Sequence, residues 1–202
     1  YCTSISFWPV RCVDGVYVAE DTGYVFHLGI DLDGLPAMYA QEVEEYLSYL
    51  RDILCNAKLV GWNSKYDSLA VSCDPNLAVL VDPVSDTRIK RKLLEADADG
   101  TLATSAELVG WGGHKHEAES VLDQIKHDIS AIAKYATPSV KKRKPLSGLK
   151  LLNNDQVRVS HIRAVQNGAS VASIAYGYLP EDICDRYNCM DTLTTCLLEC
   201  LI

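Results

Sequence analysis

Apolar residues recur with strand spacing over the first thirty positions of this 202-residue chain and with helical spacing over most of the remainder. Alternating apolar positions predict strands around 5–7, 16–18 and 24–28. Asp14–Gly15 and the segment 21–23 separate them and are typical of tight turns. The pattern therefore predicts an N-terminal antiparallel meander.

The middle of the chain alternates between the two spacings. A helix is predicted over about 37–55, and a short strand over 58–62 follows it. A further strand near 77–81 is predicted to lead into a helix that opens at Asp86. The apolar stripe of the first of these helices consists of Val43, Leu47, Leu50 and Leu54.

The C-terminal half is predicted to be mostly helical. One long amphipathic helix covers 121–133, and another over about 154–167 ends at Gly168, a residue suited to a helix C′ position. Leu179–Asp182 opens the last helix, with a proline early and acidic residues in the first turn. The order of elements predicts an α/β fold in one domain, 1–202, with a mixed sheet flanked by helices.

Composition is that of an ordinary globular protein, with 48% apolar and 23% charged residues. No apolar run approaches the roughly 18 residues of a membrane span, so we expect no membrane partner and a cytoplasmic location, in the host if the gene is a phage's. The eight cysteines show no zinc-like spacing, and we expect free buried thiols. The net charge of −8 argues against binding nucleic acid by bulk electrostatics alone.

Two short segments carry the candidate chemistry. Asn63, Tyr66 and Asp67 lie where a predicted strand enters a helix, and Tyr187 and Asp191 lie one helical turn apart in the last helix. Each segment places an aspartate among aromatic and amide groups, where a negative charge is costly unless it is compensated. Two such carboxylates brought together are hard oxygen ligands for Mg²⁺ or Mn²⁺. Metal pairs about 3.5–4 Å apart are used to cleave phosphodiesters.

These segments resemble the second and third motifs of the proofreading 3′→5′ exonuclease domain of family A DNA polymerases, the DNA polymerase I type. In that family the second motif has an Asn a few residues before Tyr/Phe-Asp, and the third motif is Tyr-x-x-x-Asp. Asp86–Thr87 is similar to the Asp-Thr found between them. The resemblance implies a ribonuclease H-like fold and a polymerase domain in the same chain.

The resemblance also implies the roles of individual residues. Two divalent metals hydrolyse the 3′-terminal phosphodiester of single-stranded or frayed DNA. Asp67 and Asp191 are the implied metal ligands, Tyr187 orients the attacking water, and all three are catalytic. Asn63 is a candidate contact to the DNA strand, and the aromatic rings of Trp62 and Tyr66 are candidates to stack on a terminal base.

The family's first motif, Asp-x-Glu on the first strand, does not occur here. We expect this motif just upstream of the chain. The chain would then be an internal piece of a longer polymerase, and we expect this piece to be inactive on its own. Asp31 and Asp33 precede Gly34 and Pro36 and are interpreted as a solvated turn.

Several alternatives stay open at this point. The chain could be an exonuclease fold that survives as an inactive scaffold or nucleic-acid-binding module, or a separate 3′→5′ exonuclease acting on RNA. Asn63 could cap its helix, and Trp62 could pack in the core. The basic run Lys141–Lys144 could be a solvated loop or a contact to the DNA backbone.

Overall fold

A computed structural model shows a mixed α/β protein that divides into two compact units. The first unit comprises 1–114 and 185–202, and the second comprises 115–184. That both belong to one exonuclease-like domain stays a prediction. The structure describes residues 4–28, 37–97, 100–110, 112–113, 115–135 and 146–202, with the side chains of 37–40 left out. Asp31, Asp33 and Lys141–Lys144 therefore lie outside the described residues.

The described strands of the first unit are short and pair two by two. The strands are β1 (Ser4–Phe7), β2 (Val10–Val13), β3 (Val16–Ala19), β4 (Tyr24–His27), β5 (Val60–Gly61) and β6 (Ser85–Asp86). β1 pairs with β4 and β2 with β3, both antiparallel, whereas β5 and β6 are parallel.

The predicted meander is wrong, because β2 and β3 form a hairpin of their own inserted between β1 and β4. Asp14 and Gly15 both adopt positive φ, 51° and 83°, as a two-residue hairpin turn requires. The base of the hairpin is closed by the indole N–H of Trp8, which donates to the Glu20 carbonyl at 2.7 Å. The turn thus pairs β2 with β3, and β1 pairs with β4, the strand that follows this hairpin in sequence.

Most helices begin and end near their predicted bounds. The N-terminal helix, the long amphipathic helix and the last helix are confirmed, whereas the helix predicted from about 154 starts later, as α6 (Val159–Gln166). Gly168 follows α6 with a φ of 94°, as predicted for its C′ position. The helices are α1 (Ala37–Asn56), α2 (Ser64–Cys73), α3 (Thr87–Leu94), α4 (Leu102–Ala106), α5 (His116–Tyr135), α6 (Val159–Gln166), α7 (Val171–Ala175) and α8 (Glu181–Leu201).

The core of the first unit lies between α1 and the strands. Ile5 and Phe7 of β1 pack against it, and the residue before β5, Leu59, does the same. Its buried members include three of the four residues of the predicted apolar stripe of α1, which is confirmed. They are Leu28, Leu47, Leu50, Leu54, Val71, Leu77 and Val81.

The strand predicted near 77–81 is wrong. Asp74 ends α2, and its carbonyl accepts hydrogen bonds from the N–H groups of Leu77 and Ala78, so this segment begins as a turn. Ala78 has a φ of 49°, which is incompatible with a regular strand. The strand before Asp86 is instead the two-residue β6. Leu77 and Val81 pack in the core and Leu80 is 85% exposed, an alternation that periodicity alone does not distinguish from that of a strand.

The second unit is helical, with a core formed by α5, α6 and α7. The predicted apolar face of α5 is confirmed, since Ile125, Ile129 and Ile132 are fully buried. Asp128 on the same helix is also buried, and its carboxylate accepts the backbone N–H groups of 150, 151 and 152 at 2.7–3.0 Å. This unit therefore contains a buried charge satisfied by backbone donors.

Seven cysteines of the described residues are free thiols, as predicted. Burial is confirmed for Cys196 but is wrong for Cys12, Cys55 and Cys73, which are exposed. Burial raises the pKa of the Cys196 thiol to about 12, and the neighbouring Cys200 adds to this effect. None of the described helices has the length and apolar character needed to cross a membrane.

Candidate functional site

The turn from β5 into α2 holds the first candidate segment. Gly61 is required there, because a Cβ atom at this position would lie 2.9 Å from the Cβ of Ser64. Asn63 occupies the N-cap position of α2 with a φ of 58° and a ψ of 43°, a left-handed conformation that Asn tolerates. Gly61 and Asn63 therefore allow the chain to turn sharply directly before the helix that carries Asp67.

The Asn63 side chain makes no capping hydrogen bond, so that part of the interpretation is wrong. Its amide oxygen instead accepts a hydrogen bond from the Arg88 guanidinium at 3.1 Å. The reason is that another residue supplies the cap. The Asp86 carboxylate accepts the N–H of Ser64 at 2.8 Å and its hydroxyl at 2.9 Å.

Asp86 serves two helices at once. One carboxylate oxygen accepts the N–H groups of Arg88 and Ile89 at the start of α3, at 3.0 and 3.3 Å, and that of Asn63 at 3.2 Å. The other oxygen bonds to Ser64 at the start of α2. The parallel pairing of Gly61 with Asp86 brings both helix starts to the same edge of the small sheet. Asp86 is therefore a joint cap, and its oxygens are occupied by protein donors.

The electrostatics of Asp86 agree with that role. Burial alone would raise the pKa of its carboxyl group, but the hydrogen bonds from Ser64, Ile89 and Asn63 outweigh burial and lower the pKa. Asp86 therefore stays ionised and adds a negative charge to the neighbourhood of Asp67. The sequence predicted Asp86 at the start of a helix but not that it caps a second one. The signal for the shared cap was the presence of Ser and Asp, both common capping residues, at the two helix starts.

Asp67 lies one turn into α2, on the side of the helix that begins at Asn63. The residue is accessible to solvent, yet the surrounding protein desolvates its carboxyl group. This desolvation, with the charge of Asp86 as the second cause, raises the pKa of Asp67 to about 6. An accessible carboxylate that is costly to ionise is stabilised by a bound cation.

The aromatic residues of this segment differ in exposure. Tyr66 is 70% exposed, so its ring is free of the core and available to stack on a base. Trp62 is half-buried, which fits both of its interpretations. Leu69 on the same helix is also exposed. Consecutive positions of α2 therefore provide an exposed ring and a carboxylate.

The second candidate segment lies in α8, which is fixed to β1 by polar contacts. Ser6 donates to the carbonyl of Asn188 at 3.0 Å and also bonds to the hydroxyl of Thr192. Asn188 donates from its amide to the Ser4 hydroxyl at 2.5 Å. Because side chains alternate along a strand, β1 turns its serines to α8 and its apolar residues to the core.

The C-terminal part of α8 contacts α3. Glu199 accepts a hydrogen bond from the hydroxyl of the buried Thr87 at 2.9 Å and pairs with Lys90. Asp191 lies between Asn188 and Thr192, two residues of α8 that contact β1, and Glu199, which contacts α3, lies further along the helix. Asp191 and Tyr187 are both half-buried and one turn apart.

The structure thus brings Asn63, Ser64, Asp86 and Arg88 into direct contact and places Asp67 within the field of Asp86. The contacts of α8 reach the start of α3, which Asp86 caps. The direct approach of Asp67 to Asp191 stays a prediction. Sequence reasoning missed Arg88, since a single basic residue in a basic stretch carries no distinguishing signal.

Comparison of the chain with protein-family models, curated proteins and solved structures found no match. The resemblance to the polymerase exonuclease domain is therefore carried by the two motifs themselves.

Replacing Asp86 by alanine should destabilise the first unit and change the pKa of the Asp67 carboxyl group. Loss of one carboxylate removes the caps of both α2 and α3, at about 1 kcal/mol each. Removing its charge should also lower the pKa of Asp67 from about 6. Chemical denaturation and a carboxyl NMR titration measure the two effects. Asp82→Ala, at an exposed position in the preceding loop, is the control and should change neither.

Proposed function

We propose that the chain forms the 3′→5′ exonuclease region of a DNA polymerase, with two divalent metals and a ribonuclease H-like fold. The observation that carries this proposal is the unequal pair Asp67 and Asp86. Asp86 is occupied by five protein donors, whereas Asp67 is accessible and has a pKa of about 6. The Asp86 carboxylate caps the two helices, and the Asp67 carboxylate is available for a metal ion.

The arrangement of α8 supports the second half of the site. Residues on one stripe of α8 contact β1 and α3, and Asp191 lies one residue before Thr192 of that stripe. Three threonines of α8 bond to the carbonyl four residues earlier, which lets polar side chains sit in a half-buried helix. These features suit a carboxylate that receives a cation.

The layer order supports the fold part of the proposal. β1 contacts the α1 core with one face and α8 with the other, and the parallel pair β5–β6 joins the same unit. Helices on both sides of an antiparallel pair, in one unit with a parallel pair, are compatible with a ribonuclease H-like sheet. Among the described residues β1 pairs with β4 alone and β5 with β6 alone.

In the proposed reaction the residues of this chain position the water and the strand. Tyr187 orients a water molecule, whose oxygen attacks the 3′-terminal phosphorus while the bond to the 3′ oxygen of the preceding nucleotide breaks. The bound metals would lower the pKa of that water and offset the charge on the leaving oxygen. The products are a nucleoside 5′-monophosphate and a strand with a new 3′ hydroxyl.

A catalytically inactive scaffold is the second candidate, and one observation favours it. The β1 residues that meet α8 beside Asp191 are Ser4 and Ser6, whose hydroxyls are weaker ligands for Mg²⁺ than carboxylates. The active-site proposal therefore requires carboxylates from a further strand. The scaffold proposal does not.

The geometry tests the proposal directly. In crystals of the longer protein, with the complete set of carboxylates, grown with Mn²⁺, the carboxylates of Asp67 and Asp191 should lie within roughly 4–8 Å of each other, with Tyr187 lining the same cleft. An anomalous difference map should show metal between them. Carboxylates on opposite faces of the first unit would rule out the nuclease proposal, and approach without metal would favour the scaffold.

A further inference from the structure

The helix α3 concentrates positive charge in an acidic protein. Four of its eight residues are basic, whereas the whole chain has a net charge of −8. Two of these cations have partners within the first unit: Lys90 pairs with Glu199, and Arg91 donates to the Ser105 hydroxyl. Their charges hold α3 to its neighbours.

Arg88 differs from Lys90 because its side-chain hydrogen bond goes to a neutral group, and it differs from Arg91 because that group, Asn63, belongs to the candidate site. The guanidinium donates to the amide oxygen of Asn63 at 3.1 Å. None of the carboxylates among the described residues lies within ion-pair distance of it. A guanidinium has five N–H donors in a planar fork, so most of them remain after the bond to Asn63.

The backbone at Gly100 supports the guanidinium from another side. A Cβ atom at this position would lie 3.0 Å from Nη2 and 3.2 Å from Nε of Arg88, so the absent side chain makes room for the fork. Arg88 is therefore positioned by an amide and by a glycine while its charge is left uncompensated by a described carboxylate. Such positioning lowers the entropy lost when the side chain binds a ligand.

The position of Arg88 relates it to the candidate site. Asn63 and Asp67 are four residues apart, so the Arg88 guanidinium lies at the N-terminal end of the helix face that carries Asp67. Tyr66, 70% exposed, is next to Asp67. A cation and a carboxylate along one helix face, with an exposed ring at the adjacent position, fit a phosphodiester strand that stacks a base on the ring.

We infer that Arg88, held by Asn63 and Gly100, binds a backbone phosphate of a single-stranded nucleic acid entering the Asp67 site. This inference rests on the proposed function, since it assigns a substrate contact to the same site. The ligand is recognised by its phosphodiester group. A fork of this kind binds two oxygens of one phosphate.

Binding in the absence of metal tests the inference on the 202-residue chain. A short fluorescent oligothymidylate, titrated in EDTA over a series of salt concentrations, reports affinity by anisotropy. Arg88→Ala should weaken binding roughly tenfold. It should also lower the slope of log affinity against log salt by about 0.7, the share of one phosphate contact. Arg88→Lys should keep the slope and lose part of the affinity, because it keeps the charge without the fork.

Arg163→Ala is the matched control, since it removes an exposed cation of α6 in the other unit and should leave affinity unchanged. A parallel titration with oligouridylate shows whether the chain prefers DNA or RNA. We expect the loss of affinity in Arg88→Ala with whichever of the two oligonucleotides binds more tightly. Circular dichroism establishes that each variant is folded.

The outcomes separate the inference from the proposed function. Equal binding by wild type and both Arg88 variants, or no binding by wild type, overturns the inference while leaving hydrolysis by Asp67 to be judged on its own. A loss confined to the Arg88 variants supports the inference. If the longer protein then shows no hydrolysis, Arg88 is a strand contact of a non-catalytic module.

Discussion

Asp67→Ala should lower the rate of 3′-terminal hydrolysis by roughly 10³-fold or more in a protein that contains the complete set of carboxylates. Asp67 is the accessible member of its carboxylate pair, whereas Asp86 is fully occupied by backbone and hydroxyl donors. No adjacent side chain can replace it, because Lys65 is cationic and the Ser64 hydroxyl is bonded to Asp86. Release of labelled mononucleotide from single-stranded DNA with Mg²⁺ measures the rate.

Tyr187→Phe provides the graded comparison. It removes a hydroxyl that orients water but leaves the ring and the metal ligands, so we expect a smaller loss, roughly 10²-fold. Polymerase activity of the same protein should survive both changes, since that site belongs to another domain. Wild-type hydrolysis by both variants would contradict the nuclease proposal and favour the scaffold.

The 202-residue chain is the third arm of this experiment. Without the Asp-x-Glu carboxylates we expect no trimming above background with either Mg²⁺ or Mn²⁺. Trimming by this chain that disappears in Asp191→Ala would show that the first motif has been misplaced, with Asp31 and Asp33 the next residues to test.

The dependence on pH follows from the raised pKa of Asp67. Below about pH 6 a proton occupies its carboxylate and competes with a metal, so apparent metal affinity should fall as the pH falls through that value. The contribution to folding has the opposite sense. Protonation relieves the desolvated charge, so stability from this group is greatest at low pH and is lost as the pH rises through about 6.

Long periodic elements could be predicted from the sequence, because their apolar faces are set by local spacing. The stripe on α1 and the isoleucine face of α5 are both buried where the pattern placed them. Pairing between strands was less predictable. The choice of β4 over β3 as the partner of β1 depends on an additional strand, β2, on a two-residue turn and on contacts at the base of the hairpin, which alternation does not encode.

The candidate site shows the same division. Position along the chain identified Asp67 at the start of a helix after a strand, and the structure agrees. Sequence could not assign the cap, because Asn63 and Asp86 are both good capping residues and the choice depends on the parallel pairing of β5 and β6. That pairing brings Asp86 to Ser64 and frees the Asn63 amide for Arg88.

Asp128→Ala should destabilise the second unit by about 3 kcal/mol or more, because it leaves buried backbone donors without an acceptor. The Asp128 side chain is fully buried, and its carboxylate accepts the N–H groups of Lys150, Leu151 and Leu152. It thereby fixes the segment that follows 146 onto α5. Hydrogen exchange of the amides 150–152 and of α5 measures the loss within this unit.

The same residue should give the unit an acid-dependent stability. Burial raises the pKa of Asp128, but the hydrogen bonds from Leu151, Leu152, Lys150 and His127 outweigh burial, so the pKa is lowered on folding. The unfolded chain therefore binds the proton more readily. The stabilisation is complete above the unfolded pKa of about 4 and is lost as the pH falls through the folded value.

Asp123→Ala is the matched control on the same helix. Asp123 is exposed and pairs with Lys126 at 2.9 Å, so its removal should cost less than about 1 kcal/mol. Asp128→Ala should also abolish the acid-dependent part of the unfolding free energy, whereas Asp123→Ala should keep it. Equal exchange rates for wild type and Asp128→Ala would show that the three N–H groups find another acceptor, and the buried carboxylate would then not be what fixes this segment.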